Sequence, residues 1–80
     1  MKILFFARLR DSIGCAETSL TLQQPTSVQQ VVALLLAQHP DWSDAFSTPV
    51  LVAINQNMAD MDASVSNDDE LAFFPPVTGG

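Results

Sequence analysis

The sequence predicts an α+β fold: one main amphipathic helix packed across a small mixed sheet. Three observations lead there. Residues 1–10 and 17–22 alternate apolar and polar side chains with period two. Val28, Val31, Val32, Leu35 and Leu36 recur at helical spacing and make one wide apolar stripe. Val50–Ile54 and Glu70–Phe74 are short runs of strand composition bounded by turn residues. A helix stripe and one face of a sheet are buried most simply against each other.

Met1–Arg10 reads as the first strand, with Ile3, Phe5, Ala7 and Leu9 on one face and Leu4, Phe6, Arg8 and Arg10 on the other. Asp11–Gly14 breaks it, and Glu17–Leu22 is its expected antiparallel partner. Pro25-Thr26 opens the helix, with Thr26 as N-cap and Gln29 completing a capping box. Pro40 ends it by disfavouring helical geometry at His39, and Asp41–Phe46 forms one more turn. Val50–Ile54, apolar throughout, predicts a strand buried on both faces. Asn55–Asn57 is a turn, Met58–Met61 a short strand or irregular piece, and Ser66–Asp69 a second turn. Glu70–Phe74 is the last strand, stopped by Pro75-Pro76.

Eighty residues make one small domain, and 48% hydrophobic content is enough for a core but leaves little room for an enclosed active site. Nine acidic residues against three basic ones give a formal charge of -6, a surface that repels nucleic acid and anionic membranes and suits a basic partner. The single Cys15 excludes an internal disulfide framework. The apolar run Ile3–Ala7 is too short for a signal sequence, and no stretch approaches transmembrane length, so the expected location is the cytoplasm.

Gly79-Gly80 closes the sequence after Phe73-Phe74-Pro75-Pro76-Val77-Thr78. Diglycine stabilises no fold, so the end is either ragged or used. Residues 1–76 are expected to form the domain and 77–80 a flexible functional tail. Pro75-Pro76 favours extended polyproline geometry, from which Val77, Thr78, Gly79 and Gly80 reach roughly 13 Å outward, and a glycine tip passes through a narrow channel. The Gly80 carboxylate is the expected chemical group.

Other chemistry is weakly represented. Cys15 follows Gly14 in a loop, with Arg8, Arg10 and Lys2 as the only possible cationic helpers and no activating partner visible in the sequence, which argues for a structural or incidental thiol. His39 has no Cys or second His nearby, which argues against zinc and for a plain surface histidine at a helix end. Asp60, Asp62 and Ser64 begin like a calcium loop, but Val65 stands at the glycine position and Leu71 at the terminal glutamate position. Ser12, Ser43, Asp41, Asp44 and His39 form no nucleophile motif, and there is no glycine-rich phosphate loop.

The run Glu70–Gly80 closely resembles the C-terminus of the MoaD family, the small subunits of molybdopterin synthase. Lys2–Ala7 with Arg10, Pro25-Thr26 and Val52–Gln56 match the same family, so the resemblance covers essentially the whole chain. One departure is Asp68, where the family usually has Gly; Asp tolerates a positive φ well enough to keep the turn. The resemblance implies a ubiquitin-like β-grasp fold with the first and last strands adjacent in mid-sheet. It also implies a carrier with no bound cofactor and no catalytic pocket of its own. A ubiquitin-activating-like adenylyltransferase uses ATP on the Gly80 carboxylate, a sulfur donor converts it to a thiocarboxylate, and the molybdopterin synthase large subunit receives the tail and catalyses sulfur transfer to the pterin precursor. Docking is implied on the sheet face away from the helix, through Phe6, Met58 and Phe74 with Arg10 as a polar contact and Pro75 and Pro76 at the tail root. Strand parity also groups Phe6 with Arg10. The alternatives are a sulfur carrier for thiamine or tRNA thiolation, a non-covalent ubiquitin-like module with an inert tail, and an enzyme using Cys15.

Overall fold

In the computed structural model, residues 1–76 are described. Five strands form the main sheet: β1 (Lys2–Phe5), β2 (Glu17–Ser19), β4 (Leu51–Ile54), β5 (Asn57–Ala59) and β7 (Glu70–Phe74). Their order is β2-β1-β7-β4-β5, with β1 and β7 parallel and every other pair antiparallel. Two short strands, β3 (Thr26–Ser27) and β6 (Ser64–Val65), pair separately. The helices are α1 (Ala7–Ile13), α2 (Val28–Gln38) and α3 (Ser43–Phe46), with a 3-10 turn at Pro40–Trp42. The mixed sheet, the main helix across it and the adjacency of first and last strands all agree with the expected β-grasp.

The core lies between α2 and one sheet face. Ile3 and Phe5 of β1, Leu71 and Phe73 of β7 and Val52 of β4 meet Val28, Val31 and Leu35 of α2, all essentially inaccessible to solvent. Phe5 stacks with Phe73 at 6.3 Å between ring centres, and Trp42 and Phe46 approach Phe5 edge-on. Such offset and edge-to-face pairs add to the area buried by the rings. The extra turn expected over residues 41–46 therefore has a packing role: it delivers two of these aromatics.

The expected first strand is too long. β1 stops at Phe5, and α1 occupies the segment read as its second half. Leu9 and Ile13 are buried four residues apart, which is helical spacing. The alternation through Ala7 and Leu9 mimicked a strand because the segment is apolar at both ends. Gly14 supplies the helix stop, left-handed at φ 89° with its N–H donating to the Arg10 carbonyl at 2.8 Å. The entry is more unusual. Phe6 is extended, and Ala7 then turns to φ 57°, a region in which Cβ crowds the backbone.

Other differences are local. Ser27 is the N-cap of α2, its Oγ accepting from the Gln30 N–H at 3.2 Å, while Thr26 is taken by β3. The N–H groups of Val28 and Gln29 donate to the carbonyls of Ala63 and Met61, so the β6 region closes the start of the helix. The sequence reading missed β6 because a two-residue strand carries no periodicity. Leu51 is exposed, so β4 is covered on one face rather than both at its start. The hairpin turn is the two residues Asn55 and Gln56, both at positive φ, as a primed turn requires; Asn57 already belongs to β5. The segment expected as a strand to Leu22 leaves the sheet after Ser19. The Asn67 amide then bonds both backbone groups of Leu22, in place of a strand partner.

The Ser66–Asp69 turn is present without a positive φ at Asp68, so it does not depend on that residue's left-handed tolerance. Asp69 holds it instead. Its carboxylate accepts from the Ser66 N–H at 2.8 Å and the Asn55 side chain at 2.9 Å, tying this turn to the β4–β5 hairpin. The Ser66 backbone N–H, then the Asn55 amide, holds the Asp69 carboxyl below its ordinary value, against a small opposing effect of burial.

Two outcomes follow from these strained and charged turns. Because the Asp69 pKa is lower folded than unfolded, its contribution is complete above the unfolded value and disappears as pH falls through the folded one. Urea unfolding should thus show Asp69→Asn less stable than wild type at neutral pH, with the gap closing in acid below the ordinary aspartate range. At the β1–α1 junction, Ala7→Gly should be at least as stable as wild type. Ala7→Val should lose about 1–2 kcal/mol, measured by the same method.

Candidate docking face and tail root

The pleat that sends Ile3, Phe5, Leu71 and Phe73 into the core sends their neighbours to the opposite face. Register places Leu4, Ala72, Ala53 and Met58 side by side across β1, β7, β4 and β5. Leu51 lies opposite Phe74 in the next row, and Phe6 follows the paired Phe5 and Phe73, its N–H donating to the Phe73 carbonyl at 3.1 Å. Phe6, Leu51 and Met58 are 46%, 37% and 63% exposed, and Leu4, Ala72 and Phe74 are half-buried. The far end of the face is polar: Lys2 lies beside Glu70 and Ser19, and its Nζ is 3.7 Å from the Glu17 carboxylate. A continuous apolar patch with a charged rim on so small a domain has the form of a protein contact.

Phe6, Met58 and Phe74 are therefore brought together. Leu4, Leu51, Ala53 and Ala72 join them, and strand register is the signal that finds them. Arg10 is not part of this face. Its expected position rested on strand parity, but it lies on α1 and lines a shallow groove with Asp11, Gly14 and Cys15. Of the three possible cationic helpers of Cys15 in the sequence, Arg10 is the one that shares a groove with this half-buried residue.

His39 is half-buried and stacks flat on Trp42, with ring centres 3.8 Å apart and planes 10° apart, so it is a packing residue and not a plain surface histidine. Its place at the helix end is as expected, its N–H bonding the Leu35 carbonyl at 2.8 Å. Among the described residues no three of His, Cys, Asp and Glu cluster as metal ligands, and no helix is long and apolar enough to cross a membrane.

The tail root continues from this face. Pro75 is half-buried and Pro76 exposed, and both border a groove of about 430 Å³ between α1 and the α3–β4 connection. Val77, Thr78, Gly79 and Gly80, the expected tail, lie outside the described residues.

Solved structures support the fold. The small archaeal modifier protein 1 of Haloferax volcanii superposes with a TM-score of 0.79 at 22% identity, over 95% of each chain. A complex of subunits 1 and 2 of the molybdopterin-converting factor from Helicobacter pylori contains a chain that superposes at 0.67, with 18% identity over 99% of this chain and 96% of that one. Two sequences are closer. The molybdopterin synthase sulfur carrier subunits of Haemophilus influenzae and Escherichia coli are 42% and 38% identical, each over 100% of this chain and 99% of the relative. The ThiS family matches residues 3–80. On a match of that extent, with a β-grasp fold and a sheet face open beside the tail root, the chain belongs to the ThiS family.

Proposed function

We propose that this chain is the sulfur carrier subunit of molybdopterin synthase and that Gly80 carries the sulfur. The observation that carries the reading is that one strand serves both needs: β7 contributes Phe74 to the apolar face and leads directly into Pro75-Pro76 and the diglycine. The names of the full-length relatives support the same role.

The chemistry divides between proteins. A carboxylate is a poor electrophile at neutral pH. An adenylyltransferase lets the Gly80 carboxylate attack the α-phosphate of ATP, forming an acyl adenylate and releasing pyrophosphate. A sulfur donor then displaces AMP, leaving a thiocarboxylate that is a strong nucleophile. The chain itself binds no cofactor in this scheme. It docks through the Phe6, Met58 and Phe74 face and places the thiocarboxylate in the large subunit's pocket, where positioning supplies the rate. Glycine at the last two positions suits insertion, because no side chain needs clearance. A reducing cytoplasm is the compartment this sulfur chemistry calls for.

Incubation with the cognate activating enzyme, ATP and a sulfur donor should exchange one oxygen for sulfur at Gly80, read by intact-mass and C-terminal peptide spectra. An unaltered terminus with an enzyme known to be active contradicts the proposal. Supply of the thiocarboxylate form to large subunits of the molybdopterin, thiamine and tRNA pathways should give transfer to the first alone. The docking face is tested by two adjacent residues. Phe73→Ala should cost about 3–5 kcal/mol of stability by emptying the core. Phe74→Ala should cost under about 1.5 kcal/mol yet weaken large-subunit binding by tenfold or more, about 1.4 kcal/mol, in calorimetry.

A further inference from the structure

All the Lys and Arg residues of the chain, Lys2, Arg8 and Arg10, lie in its first ten positions, while its nine carboxylates run from Asp11 to Glu70. Lys2 is paired with Glu17. Arg8 is exposed on the first turn of α1 and makes no ion pair among the described residues. In a chain with three acids for every base, an arginine held apart from them is available to a carboxylate from outside.

The surroundings of Arg8 say which outside carboxylate. It stands on the wall of the groove of about 430 Å³ whose other sides are Leu9, Ala45, Val50 and the Pro75-Pro76 root. This groove is concave and largely apolar, and it opens where β7 hands over to the tail. Pro75 and Pro76 line it, so a protein that takes in the residues after Pro76 binds next to it. Asp44 lies on the same groove and makes no ion pair with Arg8 among the described residues. Two opposite charges at separate points give the groove a polarity, so a docking segment has a preferred direction.

We infer that this groove is a second contact for the subunit that accepts the tail, and that Arg8 is a specificity residue receiving an Asp or Glu of that subunit. The inference rests on the sulfur-carrier reading above. The occupant is a segment with an apolar side chain for the groove and its carboxylate at the Arg8 end, where a guanidinium can hold both oxygens. The contact adds register to the apolar sheet face. A flat hydrophobic patch tolerates sliding, whereas a charge pair beside the tail root fixes how far the thiocarboxylate enters.

The test is sulfur transfer from full-length thiocarboxylated carrier to the molybdopterin synthase large subunit, with carrier concentration varied. Arg8→Glu should raise the KM for the carrier about tenfold or more, leave kcat within about twofold, and flatten the dependence on salt. Arg8→Gln should fall between it and wild type, and Arg8→Lys should recover most of the loss. Asp62→Asn, an exposed carboxylate that does not line the groove, should leave KM within about twofold. Thermal unfolding of each variant separates a lost contact from a lost fold, and Arg8→Gln carries the test if Arg8→Glu misfolds. An unchanged KM for folded Arg8→Glu or Arg8→Gln, or an equal loss at Asp62→Asn, overturns the groove contact while wild-type delivery of sulfur keeps the carrier reading standing. No delivery by thiocarboxylated wild type to an active large subunit overturns that reading instead.

Discussion

The parallel pairing of β1 with β7 is the constraint on which the rest of the structure depends. Residues 2–5 and 70–73 come from opposite ends of the chain and lie in register in the middle of the sheet. That pairing closes the fold over everything between them. It also brings Ile3, Phe5, Leu71 and Phe73 under α2, where their side chains are almost fully buried. Central strands are hard to shift, because a one-residue slip would exchange the buried and exposed faces of both. The position of Phe74 is therefore fixed by the burial of Phe73, and the tail leaves from the most constrained strand of the domain.

This arrangement suits the proposed role, in which the chemistry takes place at Gly80. The positive-φ backbone at Ala7 and at the Asn55-Gln56 turn adjoins β7 at its two ends: the Phe6 N–H donates to the Phe73 carbonyl, and Asn55 bonds both backbone groups of Glu70. The Ala7 turn has a specific consequence. It ends β1 at Phe5, leaving Phe6 outside the core at the edge of the apolar face, and it folds Arg8 back on a helix beside the tail root. A strand continuing to Arg10 would have put those charges on the face itself, at a high desolvation cost to any apolar partner. The aromatic group of Phe5, Trp42, Phe46 and Phe73 backs the same region from inside. A small core thereby gains rigidity where docking needs it.

Charge is distributed with the same asymmetry. The positive residues are confined to β1 and α1: Arg8 borders the tail root, Arg10 a separate groove, and Lys2 lies at the opposite end of the sheet, while the remainder of the chain's charged residues are acidic. In the proposed complex the acidic body is drawn to a basic partner from far off, and Arg8 then selects orientation at short range.

Much of this was legible in the chain. The α2 stripe, its stop before Pro40 and the last strand over Glu70–Phe74 follow from local periodicity and from backbone limits that no tertiary contact overrides. Phe6, Met58 and Phe74 were identified by resemblance, and the diglycine by its lack of any folding role. Tertiary structure decided what depends on partners distant in sequence. Residues 7–13 carry a pattern that fits strand or helix, and the packing of Leu9 and Ile13 with the Gly14 stop chose the helix. Strand register set Leu4, Ala53 and Ala72 into the open face, because pairing across β1, β7 and β4 is non-local and leaves no mark on any one segment. The placement of Arg8 at the tail root and of Arg10 beside Cys15 arose in the same way: side-chain direction on α1 is fixed only once the helix docks.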